Sequence, residues 1–174
     1  MNLELSVFNF IHNLAGQSVV LDWLVIFLGS YLGYFLLAGF VLMLFREKDW
    51  RARFYYCAFA VLAVILSRGL LTEIIRFFSD RPRPFAVLSF EPLINHTAAA
   101  ALPSGHAAFY IALALSVFLI SKKWGWVYLF AALITGLARV IAGVHWPLDI
   151  AAGALVAALS FFVIKWALER FRPR

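Results

Sequence analysis

The apolar run from about Val19 to Phe45 is long enough, at a rise of 1.5 Å per residue, to cross the ~30 Å hydrocarbon core of a bilayer. Others follow it: Phe54 to Phe78, Ala107 to Ile120, Trp124 to Ala142 and Ile150 to about Leu168. The third is short unless Ser104 to His106 belong to its first turn. The chain therefore reads as an all-α polytopic membrane protein with about five transmembrane helices. Asn2 to Leu14 is too short to span and has a mixed polar face, which predicts an interfacial or re-entrant N-terminal helix.

Composition agrees. Hydrophobic residues make up 64% of the 174 and charged residues only 14%, with a mean hydropathy of +0.90. A soluble domain carries nearer half and a quarter, so no single aqueous core could bury this chain. No basic segment precedes the first apolar run and no small-residue cleavage site follows it, which argues against a cleaved leader. The single Cys57 excludes an internal disulfide. A net charge of +6 would suit nucleic acid, but the charges fall between apolar blocks, as topology signals do.

Ten basic residues share one side of a five-helix arrangement. Arg46, Lys48, Arg51 and Arg53 lie in the first linker, Lys122 and Lys123 in a tight turn, and Lys165, Arg170, Arg172 and Arg174 near the C-terminus. The positive-inside rule makes that side cytoplasmic. Arg68, Arg76, Arg81, Arg83 and Arg139 run against the trend, inside helices or at their opposite ends. Something other than topology holds them there. The longest non-helical stretch, Ser79 to Pro103, joins the second and third helices on the non-cytoplasmic face, and a connection of that length is usually functional.

Three clusters converge on that face. "RFFSDRPRPF" supplies Arg76, Arg81 and Arg83, "PSGH" supplies Ser104, Gly105 and His106, and "ARVIAGVHWPLDI" supplies Arg139, His145 and Asp149. Arginine forks bind phosphate oxygens bidentately. A helix opened by Ser104 and Gly105 offers a hydroxyl and backbone N–H groups at its positive end. Two histidines can divide nucleophile and acid roles, and a carboxylate four residues after one of them can orient its ring. The carboxylate clusters of a magnesium-dependent phosphatase are missing, which favours a metal-free reaction without cofactor.

These clusters resemble the signature of the type 2 phosphatidic-acid phosphatase superfamily, which includes vanadium haloperoxidases and bacterial undecaprenyl-diphosphate phosphatases. Its pattern is Lys-x6-Arg-Pro, Pro-Ser-Gly-His and Ser-Arg-x5-His-x3-Asp. Here the three read Arg76 to Arg83-Pro84, Pro103 to His106, and Ala138-Arg139 through His145 to Asp149. Arg76 replaces the lysine and Ala138 the serine, and neither change removes an acid, base or nucleophile. The resemblance implies that His145 attacks phosphorus while Asp149 holds its other ring nitrogen. By the same resemblance His106 protonates the leaving oxygen and later activates water, and Arg76, Arg83, Ser104, Gly105 and Arg139 hold the phosphoryl oxygens. The whole chain, 1–174, then forms one integral-membrane phosphatase domain with its motif region at 76–149.

Plainer readings stand beside these. Arg76 and Arg139 could be snorkelling interfacial arginines. His96, in "LINHTAA", and His12 belong to no motif, and His96 reads as a solvated loop residue. Arg68 and Glu73 form either an internal ion pair that fixes packing or support for Arg76, or contact a diphosphate. Arg81 is a further phosphate donor or a solvated charge. The expected partners are the bilayer and a lipid phosphate or diphosphate, and nucleic acid is excluded. Nothing in the sequence sets an oligomeric state. Undecaprenyl diphosphate is the first candidate substrate, with phosphatidylglycerophosphate, phosphatidate and lipid A phosphates as alternatives. A non-catalytic lipid-phosphate transporter or scaffold is the rival from another class.

Overall fold

The computed structural model describes residues 3–172, and every regular element among them is helical. Arg174 of the basic tail lies outside the described residues. Helix α1 spans Leu3–His12. Four helices are long and apolar enough to cross a membrane: α2 (Val19–Arg46), α3 (Trp50–Phe78), α6 (Lys122–Ile141), and α7 (Pro147–Leu168) with the 3-10 turn Glu169–Phe171 that extends it. Between α3 and α6 lie the five-residue α4 (Pro84–Leu88) and the thirteen-residue α5 (Gly105–Val117).

Local chemistry sets the ends. Asp49 caps α3 by accepting from the Arg51 amide at 3.0 Å, and Ser121 caps α6 by accepting from Trp124 at 3.4 Å. Ser104 caps α5, so Gly105 and His106 are its first residues. Pro84 and Pro147 open α4 and α7 where a missing N–H costs nothing. Gly143, at φ +78°, turns the chain after α6 in a conformation that favours glycine.

The shortest membrane helix is the most buried. Ala107, Ala108, Ala112 and Ala114 give α5 a narrow surface, and α3, α6 and α7 close around it. At thirteen residues α5 is about 20 Å long by its rise. On the outside, Phe35, Phe54, Phe77, Phe130, Leu155 and Phe162 stay exposed, as suits a hydrocarbon solvent.

Both α2 and α3 widen by a π turn, over Phe27–Tyr31 and Ile65–Leu71. The linker of Arg46, Lys48, Arg51 and Arg53, the Lys122–Lys123 turn and the C-terminal segment share one end of the bundle. The end of α3, the start of α5, the end of α6 and the start of α7 share the other. Helix α1 packs at that second end, against α6 and α7.

Candidate active site

The 79–103 connection is folded inward rather than left in solvent. Its strongest anchor is Arg83, which caps α4 and is 1% exposed. Arg83 donates to the carbonyls of Ala99 (3.0 Å), Val144 (2.8 Å) and Ala100 (3.4 Å). The Ala101 amide donates to Arg81 O, Leu93 N to Ala142 O, and Trp146 Nε1 to Pro82 O at 2.9 Å. One arginine thus ties both limbs of the loop to the α6–α7 turn.

That turn carries His145, 1% exposed. Its Nδ1 lies 3.3 Å from Asp149 Oδ2, and its Nε2 lies 3.2 Å from Arg83 Nη1. A guanidinium only donates, so Nε2 holds the lone pair and Nδ1 carries the proton toward the carboxylate. Burial, then Arg139 and Arg83, pushes the His145 pKa well below the ordinary imidazole value. A neutral imidazole with its outward nitrogen unprotonated has the lone pair that a nucleophile needs. Asp149 is itself held: Oδ2 accepts from the Trp146 amide at 2.8 Å, and Oδ1 lies 3.3 Å from Arg81 Nη1. The Ser104 amide donates to Asp149 O at 2.9 Å, which locks the start of α5 onto the start of α7.

The remaining arginines close the ring. Arg76 donates from Nε (3.3 Å) and Nη2 (3.1 Å) to Pro103 O, and from Nη1 to Glu73 at 3.3 Å. Arg139 is 2% exposed and donates from Nη1 to Gly29 O, inside the π turn of α2, at 3.0 Å. Its Nε and Nη2 are buried without a hydrogen-bond partner. Buried donors are seldom left so. Burial and the neighbouring Arg76 lower the Arg83 pKa to about 10, which leaves it charged at neutral pH.

His106, on the first turn of α5, lines a cavity of about 200 Å³ together with Ser30, Tyr34, Arg68 and Tyr110. Arg68 pairs closely with Glu73, which also holds Arg76. The cavity exists partly because residue 105 is glycine: a Cβ there would stand 2.5 Å from Arg68 Nε.

Two expectations change. His96 is half-buried rather than solvated, and its ring stands T-shaped against His145 with centroids 6.2 Å apart. Burial, then Arg83, lowers its pKa to about 4. No spacing or periodicity marked it, because the loop that delivers it has none. Arg81 is not a solvated loop charge. It pairs with Glu4 of α1 at 2.5 Å, approaches Asp149 and lies over the Trp146 ring at 5.8 Å. His12 also binds the site end, through Ile141 O at 2.7 Å. Among the described residues no three His, Cys, Asp or Glu side chains gather as metal ligands.

The sequence model of the PAP2 superfamily matches residues 57–173. The bacitracin transport permease protein BcrC of Bacillus licheniformis is 35% identical over 170 residues, covering 97% of this chain and 82% of its own. Undecaprenyl-diphosphatase BcrC of Bacillus subtilis is 29% identical over 174 residues, covering 99% and 87%. Among solved structures, Aquifex aeolicus LpxE superposes with a TM-score of 0.77 at 25% identity, over 94% of this chain and 95% of that one.

Proposed function

The chain belongs to the PAP2 superfamily and is a membrane lipid phosphatase, and we propose that it removes the terminal phosphate of undecaprenyl diphosphate to leave undecaprenyl phosphate. In this reading His145 Nε2 attacks the terminal phosphorus and becomes a phosphohistidine. The bond to the bridging oxygen breaks, and His106 gives that oxygen its proton. Water then attacks the phosphohistidine, loses a proton to His106 and releases inorganic phosphate. Asp149 keeps His145 in the tautomer that attacks. Arg76, Arg83, Arg139, Ser104 and Gly105 hold the equatorial oxygens, with no metal ion. Each such preorganised donor is worth about 3–4 kcal/mol of transition-state stabilisation.

The observation that carries the reading is the buried His145–Asp149 pair, whose Nε2 lies 3.2 Å from Arg83 Nη1, together with a second buried arginine, Arg139, that has two unpartnered nitrogens. The name of the Bacillus subtilis relative, which aligns over nearly the whole chain, supports this substrate. The Bacillus licheniformis relative is named as a transport protein. Carrying a lipid phosphate needs neither a nucleophile nor an acid, and this chain retains both. The site is proposed to face the non-cytoplasmic side of the plasma membrane, where a lipid tail stays in the bilayer and its phosphate meets water.

Phosphate release in detergent with excess EDTA tests this. The wild type is expected to act on undecaprenyl diphosphate in preference to phosphatidylglycerophosphate, phosphatidate and lipid A phosphates, and vanadate to inhibit. His145→Ala and His106→Ala are expected to lose roughly 10³-fold or more. A wild type inert on every lipid phosphate, or fully active histidine variants, would sink the mechanism. A preference for another lipid would replace the substrate alone.

A further inference from the structure

Arg68 sits nearly three turns inside α3, where an unpaired charge costs at least ~2.5–3.5 kcal/mol, and the steps above give it no task. Its placement is specific. The π turn Ile65–Leu71 carries it, and bare Gly105 lets its guanidinium lie over the first turn of α5. It shares the 200 Å³ cavity with His106. The other walls are Ser30, Leu37, Phe109, Tyr34 and Tyr110, largely apolar and contributed by helices whose outer faces meet lipid.

We infer that Arg68 binds the lipid-linked phosphate of a diphosphate substrate, the phosphate that departs with the tail. The inference rests on the diphosphatase reading and names the subsite within it. A general acid must come within about 2.6–3.2 Å of the oxygen it protonates. The bridging oxygen therefore lies against His106, and the phosphate on its far side lies in the cavity His106 lines. As the bond from the terminal phosphorus to the bridging oxygen breaks, its electron pair passes to that oxygen, which takes the His106 proton. The departing group is then a lipid monophosphate, an anion that needs a counter-charge. Arg68, Glu73 and Arg76 together carry one net positive charge, because a single carboxylate serves both arginines. Side-chain exposures of 39% for Arg68 and 51% for Glu73 make their pair easy to exchange for a phosphate. The leaving oxygen of a lipid monophosphate bears only carbon, so Arg68 has nothing to bind there.

The test uses two lipids with identical acyl chains, diacylglycerol diphosphate and phosphatidate, in mixed micelles with EDTA. The readout is the ratio of their kcat/KM values for the wild type, Arg68→Ala, Arg68→Gln and Arg68→Lys, with thermal unfolding in detergent as the fold check. In Arg68→Ala the diphosphate-to-monophosphate ratio is expected to fall roughly 10- to 100-fold, the scale of a lost charge-assisted hydrogen bond, and Arg68→Lys to regain most of it. Arg68→Gln, close in length and neutral, stands in if the alanine variant does not fold. An unchanged ratio in the neutral variants, whether both rates fall together or neither falls, overturns the inference and leaves the diphosphatase reading standing. A wild type active on phosphatidate but not on the diphosphate overturns the diphosphatase reading and the subsite with it. Inactivity on both removes the phosphatase mechanism itself.

Discussion

Arg139 enters the bundle from the end of α6 with Nε and Nη2 buried and unpartnered, and with Arg83 close enough to repel it. Such an arrangement is costly without an anion and favourable with one. Methionine fills similar volume without the charge, so Arg139→Met is expected to keep or raise the apparent Tm of the ligand-free protein. Lipid phosphatase activity should fall about 10²- to 10³-fold, the loss typical of one oxyanion donor. Vanadate should raise the wild-type Tm and do much less for the variant. A variant that unfolds far earlier yet keeps its activity would show that Arg139 serves structure rather than substrate. At this scale the sequence was informative only where spacing exists. Arg76, Arg83, Ser104, His106, Arg139, His145 and Asp149 stand at fixed intervals on or beside helix ends. His96 reaches His145 from within an irregular loop, and Glu4 reaches Arg81 across 77 residues, so neither contact left a pattern to read.

Helix ends position those residues, and close helix contacts position the ends. A Cβ on Gly153 of α7 would stand 2.6 Å from Ser104 O and 3.1 Å from the Ala108 amide, both backbone atoms that cannot swing aside. Gly153→Ala must therefore push α7 from α5 and stretch the Ser104–Asp149 bond. A destabilisation of about 1–3 kcal/mol is expected, with a fall in phosphate release. Gly69, also helical, would meet nothing nearer than Ile65 Cγ2 at 3.9 Å. Gly69→Ala is expected to be neutral or to gain about 0.4–1 kcal/mol. Apparent Tm values in one detergent compare the two, and equal losses would show that α5–α7 contact does not set the site. Hydropathy located the apolar runs because a charge follows four of the five within two residues. It could not show the π turns of α2 and α3, which lie inside unbroken apolar sequence. Nor could it show that the short run after "PSGH" is the buried centre, which follows from its alanines.

Orientation belongs to the whole molecule. Helix α1, at ten residues, is about 15 Å long, half of a bilayer core, and packs against the ends of α6 and α7. It therefore stays on the side of the site, and the four long helices, with α5 running from the site end of the bundle toward the other, bring the C-terminal basic segment to the opposite side. The first linker and the Lys122–Lys123 turn share that opposite side, so the charge rule and the helix count point the same way. Cys57 is the single cysteine, so Cys57→Ala supplies a clean background for labelling. Ala98→Cys, exposed in the loop above the site, is expected to react with a membrane-impermeant maleimide on intact spheroplasts. Lys48→Cys, exposed in the first linker, should react only after lysis. The reverse pattern would put the site in the cytoplasm, and the substrate would then be a lipid phosphate of the inner leaflet. Reaction at both positions in intact spheroplasts would mean that the chain inserts both ways, which ten basic residues on one side are expected to prevent.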